Sequence, residues 1–81
     1  MVRPTEKDVL EFYRNRVPGF PKEEVTLDSR LGEDLLLDSL DLFEQGYDIE
    51  QEYGIDIPDE QIQKFRTVGD IVRYVLEQTQ Q

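Results

Sequence analysis

Apolar positions along the chain fall into helical runs separated by stretches with no helical period. Val9, Phe12, Tyr13 and Val17 recur at three- and four-residue spacing and make one apolar face. That run opens at Thr5, where "TEKD" forms a capping box with aspartate at the third helical position. "VPGFP" closes it with two prolines and a glycine. From Pro18 to about Leu37 no period persists, yet Val25, Leu27, Leu31, Leu35 and Leu36 are spaced as anchors holding a long connection to a core. Connections of about twenty residues in so small a unit tend to be functional or disordered. The regular anchors argue against disorder.

A second helix is predicted from Asp38, with Asp41 three positions on completing its cap. Leu40, Leu42, Phe43, Gly46, Tyr47, Ile49 and Tyr53 give it an apolar surface wider than packing against one core requires. Gly46 in mid-helix costs about 1 kcal/mol relative to alanine, which points to close packing or a local weakness. Gly54 suits the residue after the helix end. "IDIPDEQIQKF" turns at Pro58 into a short helix carrying Ile62 and Phe65. "TVGDIVRYVLEQ" opens the last helix with Thr67 and Asp70 as a capping box, and Val68, Ile71, Val72, Val75 and Leu76 form its core face. The final "QTQQ" is expected to fray. No alternation longer than a few residues suggests a strand. The fold class is therefore all-α, in one domain over residues 1–81.

Composition narrows the chemistry. At 81 residues, a chain buries about 60% of its unfolded surface on folding. Without cysteine there is no disulfide, thiolate metal site or thiol nucleophile, and without histidine a histidine-assisted serine nucleophile is excluded. Nineteen acidic residues against nine basic leave a net charge of −10. Such a surface repels nucleic acid and anionic membranes and favours partners with basic patches. No apolar run approaches a membrane span, and "MVRPTEKDVL" lacks the apolar core of a signal peptide, so a cytoplasmic address is expected.

The tripeptide leucine-aspartate-serine occurs twice, ending at Ser29 and at Ser39. Ser29 precedes Arg30, Leu31 and Gly32, a poor helix start, and reads as a turn serine bonding nearby backbone. Ser39 differs. With Asp38 as cap it is the first helical residue, and its hydroxyl is free to face outward beside unpaired N–H groups and the positive helix end. An anion esterified there would sit in a favourable field.

"DSLDLFE", then "EQEYGIDIPDE", then "FRTVGDIVRYV" resemble an acyl carrier protein across nearly the whole chain. The resemblance implies a bundle of three longer helices and one short one, with a long first loop. It implies 4′-phosphopantetheine from coenzyme A on Ser39, flanked by Asp38 and Leu40 and attached by a phosphopantetheinyl transferase. Asp41 and Glu44 match the start of the family's recognition helix, Glu50 falls where the family presents acid to basic enzymes, and Phe43 and Tyr47 occupy commonly partner-facing positions. The implied protein is a monomeric carrier of acyl groups for fatty-acid, lipid or polyketide-type synthesis, with no catalytic residues and no metal. The "LLDS" spelling is similar also to D-alanyl, aminoacyl and peptidyl carriers. An unmodified helical module binding basic partners is a further alternative, and an acid-based enzyme or metal site on Asp34, Asp38, Asp41 and Glu44 is a third. One departure stands out. Many members have glycine two residues before the aspartate, whereas this chain has Leu36. Leucine disfavours unusual backbone dihedrals, so a differently shaped loop before Ser39 is expected. Gln45, Gly46 and Asp48 also replace more typical apolar or small residues, which suggests a specialised carrier.

Overall fold

The computed structural model describes residues 3–80, so Met1, Val2 and Gln81 lie outside it. Four helices follow in order: α1 Glu6–Arg14, α2 Ser39–Tyr53, α3 Asp59–Lys64 and α4 Val68–Thr79, with one 3₁₀ turn at Lys22–Glu24. Among the described residues the only ladder pairing is an isolated antiparallel bridge between Arg30 and Thr67.

Three helix starts obey the local rule that an oxygen side chain must satisfy the first free N–H groups. Thr5, Asp38 and Thr67 are the caps, and each is answered three residues later by an aspartate returning a bond to the cap's N–H. Gly54 ends α2 in the left-handed region at φ 64°, where glycine carries no Cβ penalty. α1 ends at Arg14, one turn before the proline, so Val17 is buried from the following turn and not from the helix. α4 runs through Thr79, whose hydroxyl donates to Val75 O at 2.8 Å, and Gln80 follows the helix end.

Val9 and Tyr13 of α1 pack with Val68, Ile71, Val72 and Val75 of α4, while α3 sits on α2. Each such aliphatic side chain removed from water contributes about 1.5–3 kcal/mol. Leu76 is half-buried at the edge of this core. Gly46 shows why α2 carries a glycine: a Cβ there would lie 2.9 Å from Ile62 Cδ1 of α3. The mid-helix glycine is a close-packing device.

The long connection is tied down at both ends. Val25, Leu31, Leu35 and Leu37 enter the core, but Leu36 does not; it is 76% exposed. Leu36 also adopts φ 57°, making it the one described non-glycine residue in the left-handed region. The loop thus keeps the backbone shape that glycine would favour, contrary to the expectation from leucine's preferences. Its neighbours Leu35 and Leu37 both point inward, and the fold imposes the reversal between them at a cost of about 1–2 kcal/mol.

Candidate functional site

Ser29 and Ser39 are separated by how the loop is sewn. Ser29 is buried; its hydroxyl accepts from Thr26 N at 3.0 Å, and its carbonyl accepts from Val68 N at 3.0 Å. It is a structural turn residue. Beside it, Leu31 N donates to Arg66 O at 2.9 Å and Gly69 N to Leu27 O at 2.8 Å. These bonds fasten the loop to the α3–α4 connection and set the position from which α2 departs.

At the head of α2 the capping work belongs to two aspartates. Asp38 Oδ1 accepts from Asp41 N at 2.9 Å, and Asp41 Oδ2 accepts from Asp38 N at 3.1 Å. Leu42 N begins the helical ladder on Asp38 O. The N–H groups of Ser39 and Leu40 are left at the open end, and the exposed Ser39 hydroxyl is free of any capping duty. Leu40 is 64% exposed beside it.

A cavity of about 340 Å³ opens next to Ser39, between the loop, α2 and α3. Leu31, Leu37, Leu42, Phe43, Ile62 and Phe65 make its apolar wall, and Arg30, Gly32, Glu33, Asp38, Ser39, Gln63 and Arg66 complete the lining. Its volume lies within the range of small-ligand pockets, and its lining suits an apolar guest.

The other acids are placed unequally. Glu44 is exposed and Tyr47 is 61% exposed, whereas Phe43 is half-buried against the cavity. Glu50 is partly turned inward, where its Oε2 accepts from Ile57 N at 2.7 Å. Asp34 is committed to Arg30: a side-chain bond from the guanidinium, then one from the Arg30 N–H, hold its carboxyl below the usual range. Asp34, Asp38 and Asp41 thus each have a local structural partner, and no cluster of three or more ligating side chains that could hold a metal occurs among the described residues.

Gln45 was not among the sequence-derived candidates. It is buried, accepting from the Tyr13 hydroxyl at 2.7 Å and donating to Arg16 O at 3.1 Å. The one signal was its polarity on an otherwise apolar helix face.

The sequence relationships agree with this geometry. A family model described as "Phosphopantetheine attachment site" matches residues 15–75. Acyl carrier proteins from Rickettsia massiliae and Rickettsia canadensis are each 44% identical over 72 residues, covering 89% of this chain and 83% of theirs. The chain belongs to the acyl carrier protein family. A solved acyl carrier protein from Enterococcus faecalis superposes with a TM-score of 0.76 at 28% identity, over 91% of this chain and 98% of that one. The all-helical fold expected from the sequence is the acyl carrier fold.

The prosthetic group of this carrier is 4′-phosphopantetheine. Bound, it supplies a thiol on a flexible arm, to which acyl groups join as thioesters that a chain without cysteine cannot form itself. The α2 head fits such a group: an exposed, unencumbered hydroxyl, open N–H groups suited to an anion, and an apolar cavity alongside. As an acyl carrier it works with a transferase and with acyl-handling enzymes. Among the described residues no helix is long and apolar enough to cross a membrane.

Proposed function

We propose that Ser39 is the residue that carries the arm. The observation supporting it is the division of labour at the α2 head, where Asp38 and Asp41 bond each other's backbone and leave the Ser39 hydroxyl exposed. Ser39 Oγ attacks the phosphate of coenzyme A that bears pantetheine, and the adenosine bisphosphate leaves. The chain has no histidine, and its two nearest carboxylates are engaged in capping, so the transferase supplies the base. The open helix end favours the resulting phosphodiester anion.

On this reading the chain, one domain over residues 1–81, carries cargo and catalyses nothing itself, as a cytoplasmic monomer. Asp38 and Leu40 frame the attachment point. Glu44 and Tyr47 meet basic enzymes, with Asp41 and Glu50 adding negative charge while also holding backbone N–H groups. Phe43 turns toward the cavity and contacts the apolar part of the cargo.

The test is intact mass after incubation with coenzyme A and a broad-specificity phosphopantetheinyl transferase. Wild type and Ser29→Ala each gain one group, and Ser39→Ala gains none. Loading of Ser39→Ala, or none of wild type, defeats the assignment.

A further inference from the structure

The cavity beside Ser39 stops short of the bundle interior, and the side chains that stop it are identifiable. On α2 its lining ends at Phe43; Gln45, Gly46 and Ile49, the buried residues further down the helix, take no part in it. At Gly46 the way is closed by Ile62 of α3. Ile62 is 6% exposed, and it lines the cavity while its Cδ1 reaches to 2.9 Å from where a Gly46 Cβ would stand. The isoleucine thus fills the notch that the glycine leaves open. A side chain seated on bare backbone in this way leaves no gap for another methylene.

The neighbouring position is shut by chemistry and not by bulk. Gln45 precedes Gly46 on the buried side of α2, accepting from the Tyr13 hydroxyl at 2.7 Å and donating to Arg16 O at 3.1 Å. A hydrocarbon entering that space would part a buried hydroxyl from a buried amide and offer neither a partner in return. A guest therefore meets a packed isoleucine on one side and a hydrogen-bonded latch on the other.

The room that remains sets the size of the guest. A cavity of about 340 Å³ holds at most about ten methylene-sized groups, taking ~30 Å³ for each by analogy with the share of a water in the liquid. We infer that this carrier serves apolar acyl groups of short to medium length and that Ile62 sets the upper limit. Longer chains leave their tails outside the bundle. The inference rests on Ser39 being the attachment point.

The experiment loads the chain with a phosphopantetheinyl transferase and acyl-coenzyme A donors from acetyl to hexadecanoyl, which place arm and acyl group together. The readout is the melting temperature of each acyl form minus that of the arm-only form of the same variant. In wild type this gain grows with acyl length to about ten carbons and then stops growing, because only enclosed methylenes leave water. Ile62→Ala moves the stop outward by about two or three carbons and Ile62→Val by about one, in line with the side-chain carbon each removes. Val75→Ala, in the α1–α4 core away from the cavity, lowers every melting temperature and leaves the stop where it was. A wild-type gain that climbs through hexadecanoyl, or one that never depends on length, overturns the inference. So does an unmoved stop in the Ile62 variants, or a stop that Val75→Ala moves as far as they do. Ile62→Val decides if the alanine variant does not fold. A wild-type chain that takes no arm at all is a different failure, that of the Ser39 assignment.

Discussion

The Tyr13 hydroxyl donates to Gln45 Oε1 at 2.7 Å between α1 and α2, and Gln45 passes the connection on to Arg16 O. Both side chains are shut away from solvent. Tyr13→Phe would leave the amide oxygen buried without a donor, a loss of about 1–3 kcal/mol. Urea unfolding measures it, and Gln45→Met in the same chain should recover part of the loss, because the buried amide oxygen is then gone and only the Arg16 carbonyl loses a donor. Burial, then the charge of Asp41, pushes the Tyr13 hydroxyl above its ordinary range. Its folded-state value exceeds the unfolded one, so the contribution is complete below about pH 10 and declines as pH rises beyond it. Wild type should therefore lose stability more steeply in alkali than Tyr13→Phe. Parallel curves would show that Tyr13 ionises as freely in the fold as outside it.

Gly46→Ala sets two effects against each other. Alanine gains about 1 kcal/mol of helix propensity. The new methyl meets Ile62 Cδ1 at 2.9 Å, and moving a packed isoleucine costs about 1–3 kcal/mol. The single variant should be no more stable than wild type. In an Ile62→Val background the offending carbon is gone, and there Gly46→Ala should stabilise. A double-mutant cycle in denaturant gives the coupling directly. Simple additivity would mean that Ile62 does not constrain position 46.

Asp70 closes the α4 cap. Bonds from the Arg66 N–H and then the Thr67 N–H outweigh partial burial and hold its carboxyl below the ordinary range. Its contribution is present above the unfolded value near pH 4 and disappears as pH falls through the lower folded one. Asp70→Asn should melt below wild type at pH 7, with the gap closing in acid. A gap that persists at low pH would show that the carboxylate charge is not what matters.

The three caps were legible from sequence because a capping box is a local transaction among four residues. Thr5, Asp38 and Thr67 could be read without knowing anything of the core. The place of Ser39 at the start of α2 was legible for the same reason: its neighbours announce the helix head. Gln45 was not, since its donor lies thirty-two positions away. Leu36 was misjudged for the complementary reason. Leucine's own preference points away from φ 57°, and burial on both sides overrode it. The early end of α1 at Arg14 likewise escaped notice, because Val17 keeps an apolar spacing from outside the helix.

At a net charge of −10 the folded chain crowds like charges that the unfolded chain spreads apart. Surface pairs such as Arg30 with Glu33 offset little of this. Raising ionic strength from about 0.01 to 0.15 M shortens the screening length from about 30 to 8 Å. The melting temperature of the unloaded protein should rise over that interval. A flat response in calorimetry would show that self-repulsion does not limit its stability.

The backbone bonds from Leu27, Ser29 and Leu31 to residues 66–69 join segments made far apart in time during synthesis. A chain that lacks residues 66–69 has no seam to which the first loop can be stitched. The head of α2 then hangs from a slack tether, so order at that end of the bundle depends on residues about forty positions downstream of the loop.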